Sequence, residues 1–210
     1  MSTINPNSVP QNNATTKPAN EIQRLKRLLI SIGVVVFAAQ LSAQQAHKFP
    51  TPKPTEAHKI LANDAGTWDT VVKMFFQGPT APPVEYKGVE TAELVGGSLY
   101  LRTTSKCKMG DQDYEGHSLI GYNPRSKEYA GTSVNNFAPA PIQVKGTYDA
   151  EKKTLTMLSA VVDGKSNDIK QKEVTKFIDD RTKTLTSFML VDAGGKEMEI
   201  KLMEVTAKKR

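Results

Sequence analysis

"HKILANDAGTWDTVVKMFF" (residues 58–76) holds the single tryptophan of the 210-residue chain, Trp68. Glu56 to Asn63, just upstream, has helical spacing, with Ile60 and Leu61 as its apolar members. Ala65-Gly66 ends that helix, since glycine is the usual residue just past a helix terminus. From Trp68 the period changes to two. Trp68, Thr70, Val72, Met74 and Phe76 fall on one face of a strand, and that face is expected to point into a core. One short helix, a glycine and a tryptophan-headed strand therefore open the folded part of the chain.

Downstream, short apolar or alternating runs are separated by turn chemistry. The expected strands are 68–77, 83–94, 98–107, 112–122, 127–137, 141–149, 153–162, 168–178, 184–191 and 196–206. The breaks between them, such as "NPRS", "APAP", "DAEK" and "DAGGK", are short and rich in Gly, Pro, Asn or Asp, as hairpin turns are. No stretch is long enough for helical crossovers, so a parallel sheet is excluded. The fold class is all-β: an antiparallel up-and-down meander of about ten strands. Closure into a barrel hides the edges most completely, and a two-sheet sandwich is the alternative. In the last strand, Met198, Ile200 and Leu202 are expected on one face, with Glu197, Glu199 and Lys201 on the other.

The N-terminal region is different in kind. Residues 1–23 are rich in Asn, Pro and Thr and are expected to form a disordered leader. Arg24, Lys26 and Arg27 then precede an uncharged, mostly apolar run, Leu28 to Leu41, which ends in Leu41-Ser42-Ala43. This is the pattern of a secretory signal peptide over 24–43, too short to span a bilayer. Residues 44–55 form a Pro-rich lead-in, and 56–210 the β-barrel domain. The expected destination is periplasmic or extracellular, with no membrane span after cleavage. Cleavage after Ala43 removes four basic residues and one acidic one, taking the formal charge from +6 to +3. The remaining surface mixes Lys with Glu, which argues against nucleic acid as a partner.

Cys107 is the single cysteine, so no internal disulfide forms. It shares a strand face with Leu101, Thr103 and Ser105 and is read as a half-buried strand cysteine. His47 and His58 are expected to face solvent. Asp111, Asp113, Glu115 and His117 alternate along one strand face, but four residues spread over about 20 Å cannot all reach one ion. They are read as a solvated face, with no metal and no cofactor. No nucleophile elbow, P-loop, zinc-protease motif or Cys/His cluster occurs, and no catalytic residues are assigned.

The helix, glycine and tryptophan resemble the G-x-W feature of lipocalins and related calycin barrels. A wider pattern, "HKILANDAGTWD", "GGSLY", "EGHSLIGYNPRSKEYAGTSVNNF" and "KGTYD", resembles a secreted bacterial family, domain of unknown function 1579, over most of residues 57–206. Two departures stand out: the family's G-Y-D reads Gly121-Tyr122-Asn123, and its W-x-D reads Ser133-Val134-Asn135. The resemblance implies a barrel and secretion and lends no activity.

A ligand site is expected on the small-residue face of the middle strands. Folding hairpins about "NPRS" and "APAP" sets Gly116, Ser133 and Gly146 side by side, with Ser118, Gly131 and Tyr148 in the next row. Tyr114, Tyr129 and Tyr148 would line the space, Asn135 would orient a polar group, and Trp68 would report occupancy. The partner is a small hydrophobic or amphipathic molecule. The competing readings are a structural or envelope-interaction role, in which the glycines merely let the sheet bend, and an uncharacterised enzyme.

Overall fold

The computed structural model describes residues 50–78, 80–162 and 168–210. The leader, the signal segment, His47 and the first half of the Pro-rich lead-in lie outside the described residues. Among those described, no helix is long and apolar enough to cross a membrane.

One helix is present in the described residues, α1 (Glu56–Asp64). Its first turn is closed by the Thr55 backbone N–H, which donates to His58 Nδ1 at 2.9 Å. His58 is consequently buried and stands edge-on to Tyr122, with ring centroids 5.8 Å apart. The solvent-facing position expected for His58 is thus corrected: its imidazole serves the cap and the core. The chain leaves α1 through Gly66, whose φ of +138° is a region that side-chain-bearing residues avoid.

Ten strands follow: β1 (Gly66–Met74), β2 (Val84–Val95), β3 (Tyr100–Met109), β4 (Gln112–Asn123), β5 (Glu128–Asn135), β6 (Ile142–Asp149), β7 (Thr154–Val162), β8 (Asp168–Asp179), β9 (Thr182–Asp192) and β10 (Glu197–Lys209). Each pairs antiparallel with the next, and β1 pairs with β10 from Trp68↔Lys209 to Met74↔Met203, so the barrel is closed. Closure, rather than a sandwich, removes every edge. Phe76 lies beyond β1, in the following turn.

The core is concentrated at the α1 end. Leu61 of the helix packs with Ala92, Leu101, Tyr129, Leu155, Met157 and Phe177 from the wall. Tyr129 donates its hydroxyl to the Ala57 carbonyl at 2.7 Å. Burial, with Tyr122 and Tyr148 beside it, pushes that phenol up to about 12. The helix thereby plugs one end of the barrel.

Two registers differ from the expected ones. Across β4 and β5, Ser133 opposes Ser118 and Gly116 opposes Asn135; across β5 and β6, Gly146 opposes Tyr129. The β5–β6 turn starts earlier than "APAP", because Asn135 Oδ1 accepts the Phe137 N–H at 2.9 Å and its carbonyl accepts the Ala138 N–H at 3.3 Å. The shifts are even numbers of residues, so every side chain keeps its expected face. In β10 a register shift between Lys201 and Met203 changes the alternation midway. Leu202 therefore does not continue the Met198 and Ile200 face; Met203, Val205 and Ala207 line the interior instead.

Candidate functional site

Above the helix plug the barrel encloses a cavity of about 640 Å³. That is within the range of small-molecule pockets, roughly 300–1,000 Å³. Ile60, Leu61 and Asp64 of α1 form its floor. Val72, Leu101, Ile120, Val144, Met157 and Val205 supply apolar wall, and Thr70, Thr103, Ser105, Ser118, Ser133 and Thr175 add hydroxyls. The far end lies at the loops after the odd-numbered strands. There Phe76 is 65% exposed and Phe137 51% exposed, and both border the cavity. Phe137 meets the edge of Tyr114 at a centroid separation of 5.6 Å.

The expected ligand set divides. Tyr114, Gly116 and Ser133 line the cavity. Trp68, Tyr129, Gly131, Asn135, Gly146 and Tyr148 are not among its lining residues. Tyr129 belongs to the core below it, and Tyr148 packs against that core. Asn135 caps its own turn. Gly131 and Gly146 lie where neighbouring strands come closest: a Cβ on Gly131 would strike the Leu119 carbonyl oxygen, and one on Gly146 the Thr156 carbonyl oxygen. Both positions act as sites of close backbone approach. Gly131→Val is therefore expected to lose about 1–3 kcal/mol by overpacking. Urea denaturation checks this, and an unchanged midpoint would contradict it.

Trp68 is 1% exposed and forms the base of the barrel beside α1. Its indole N–H donates to the Asp64 carbonyl at 2.9 Å. Lys183 lies 4.6 Å and Lys209 5.0 Å from its ring centroid. Lys183 is buried and paired with the carboxylates of both Asp64 and Glu90. Burial alone would pull its ammonium down, but Asp64 and Glu90 outweigh that and hold it above its ordinary value.

Four charged interior groups escaped the sequence reading: Asp64, Glu90, Glu173 and Lys183. Lys183 heads β9 on the Leu185 face, one residue before the strand start expected from sequence. Glu173 of β8 shares its face with Thr175 and Phe177, and all three line the cavity. The signal was present in "DIKQKEVTKF": Glu173 alternates in phase with Ile169, Thr175 and Phe177, opposite the lysines at 170, 172 and 176. Burial raises the Glu173 carboxyl above its ordinary value. Tyr114 is also raised, first by burial and then by Glu173 and Glu90.

Cys107 lines the cavity and is buried, which raises its thiol. Outside the barrel, Glu115 takes His117 Nε2 at 3.0 Å and Lys106 Nζ at 3.3 Å. Lys106 and His117 together hold its carboxyl below the usual range, with Lys106 the larger influence. Among the described residues, no three His, Cys, Asp or Glu side chains come together as metal ligands.

The model of the family described as Protein of unknown function (DUF1579) matches residues 53–209. The chain belongs to this family. The DUF1579 barrel is also similar to solved structures. The S-type phycobiliprotein lyase CPES from Guillardia theta aligns with a TM-score of 0.50 at 10% identity, over 74% of this chain and 93% of its own. Rv2717c from M. tuberculosis aligns with a TM-score of 0.50 at 13% identity, over 74% of this chain and 98% of its own. At these identities the likeness is one of barrel fold. None of the curated proteins compared with the chain matches it.

Proposed function

We propose that this DUF1579 protein is an exported binding module that holds a small apolar or amphipathic molecule inside its barrel, with no chemistry required of it. The observation that carries the reading is the cavity itself. About 640 Å³ of space stands over a tightly packed helix plug, with mostly aliphatic walls and scattered hydroxyls. A barrel evolved only for stability gains from filling such a volume, because each missing contact forfeits burial and dispersion energy. Retaining the space is consistent with an occupant. The scattered hydroxyls would orient a polar end while the aliphatic wall takes the rest. The lyase named among the similar structures shares this barrel form and is compatible with the same use of the interior.

Export rests on the basic, apolar and small-residue succession over 24–43. Native mass spectrometry of protein recovered from the periplasm or medium tests both halves. The expected chain begins near Gln44 and carries a small molecule that is released on denaturation. A full-length chain retained in the cell would overturn export. A chain that never carries, and cannot be loaded with, any apolar compound would overturn binding.

A further inference from the structure

The charges inside the barrel do not balance. Asp64, Glu90 and Glu173 all border the cavity, against the single buried ammonium of Lys183. Lys183 is already committed to Asp64 and Glu90. Glu173 has Met157 beside it on β7 and Ser187 beside it on β9, neither of them charged. Glu90 of β2, Cys107 of β3 and Tyr114 of β4 line the same cavity from other walls, and none of them supplies a positive charge. Lys106 and His117 also border the cavity, but Lys106 Nζ and His117 Nε2 both meet Glu115 on the outer surface. Lys172, next to Glu173 in sequence, turns outward to Glu199. Among the described residues no cation answers Glu173.

We propose that the cavity selects apolar molecules bearing a protonated amine, with Glu173 as the counter-ion; this rests on the binding reading above. An isolated carboxyl in an apolar wall is costly to ionise, so in the empty barrel it tends to keep its proton. That desolvation is incurred when the protein folds, not when a ligand enters. An ammonium arriving with its own apolar tail then displaces that proton and pairs with a carboxylate whose hydration folding has already reduced. Tyr114 lines the same cavity and adds a phenol hydroxyl to it. A fatty acid of the same length would bring a fourth carboxylate to a space that has one ammonium, and a neutral alcohol would leave Glu173 protonated and gain no ion pair. The same geometry makes amine binding depend on pH. Amine uptake displaces the Glu173 proton, so it is favoured where that proton leaves easily and weakened in acid.

The test is a calorimetric titration of the full chain with decylamine, decan-1-ol and decanoic acid. At pH 8 decylamine is expected to bind about tenfold tighter than decan-1-ol, or more, as a charge-assisted contact should. Decanoic acid should be the weakest of the three. Lowering the pH to 5, where decylamine is still cationic, should shrink the amine-to-alcohol ratio. Glu173→Gln should bring that ratio close to one at both pH values, with its melting curve confirming a folded barrel. Equal affinities for amine and alcohol in the wild type, tightest binding of decanoic acid, or an amine preference that survives Glu173→Gln would each overturn the assignment and leave the binding reading standing. If the variant does not fold, the wild-type pH comparison decides: a ratio that does not change between pH 8 and 5 overturns it. Failure of all three compounds to bind overturns the binding reading and this inference with it.

Discussion

Trp68→Ala is expected to remove about 3–5 kcal/mol of stability, the usual cost of truncating a buried aromatic. Whole domains of this kind have only about 5–15 kcal/mol to lose. Three separate contacts end at this side chain. The indole fills the base of the barrel, its N–H satisfies the Asp64 carbonyl at the end of α1, and its faces receive Lys183 and Lys209. Alanine leaves a cavity where the helix plug meets the first and last strands, so the damage reaches both the plug and the seam between β1 and β10. Urea denaturation followed by far-UV circular dichroism measures the loss. Native wild-type Trp68 should also emit at short wavelength and shift to the red on unfolding. A solvent-like native emission maximum, or a loss below about 1 kcal/mol, would contradict the burial.

Lys183→Ala is the second large effect. The ammonium separates two carboxylates that both sit in a half-dry corner, and its removal leaves Asp64 and Glu90 facing one another without compensation. Breaking a buried ion pair in this way costs about 3–5 kcal/mol. Adding Asp64→Asn and Glu90→Gln should recover a large part of that loss, since it is the unpaired charge and not the missing side chain that dominates. The pH dependence has a definite sign. The folded-state value of Lys183 is raised, so its contribution is fully present below its ordinary value of 10.5 and is lost as pH rises through the higher folded value. The gap between wild type and Lys183→Ala should accordingly stay constant through neutral pH and narrow only in strong alkali. A gap that closed between pH 6 and 9 would show that the triad is not the source of the effect.

Much of the fold was legible because the meander writes itself in local chemistry. Period-two alternation and Gly, Pro, Asn and Asp breaks locate all ten strands. The helix stop at Gly66 and the tryptophan two residues later locate the plug. What the alternation cannot supply is the count of residues inside a turn. The Asx turn at Asn135 draws the β5–β6 hairpin back toward Phe137, which moved Gly146 from Ser133 to Tyr129 without changing its face. In β10 a bulge at Leu202 shifts the alternation midway, and nothing in the period-two pattern marks it. His58 looked solvent-facing because its helix is mixed in composition; its burial depends on Thr55 and Tyr122, one of them 64 residues away in the chain.

The candidate site was legible in part. The small-residue face was correctly turned inward, and Tyr114, Gly116 and Ser133 border the cavity. Small residues are ambiguous, however, because bare backbone either leaves space or lets another strand fill it. At Gly131 and Gly146 the neighbouring backbone fills it. Glu173 was missed because β8 also carries Lys170, Lys172 and Lys176, where only strict phase separates an inward Glu from an outward Lys, and Lys183 was missed because it lies one residue before the strand start expected from sequence. The three interior carboxylates come from α1, β2 and β8, and closure of the barrel is what brings them to one cavity.

Calorimetric titration of the full chain with decan-1-ol, wild type beside Ser118→Trp, tests whether the barrel interior is a ligand site. Ser118 lines the cavity midway along β4, opposite Thr103 and Ser133, so an indole there occupies the space a ligand would take. The wild type should bind saturably at about one molecule per chain, as a single enclosed pocket does, and the folded variant should not. No saturable binding by the wild type, or equal binding by the folded Ser118→Trp variant, would contradict the account.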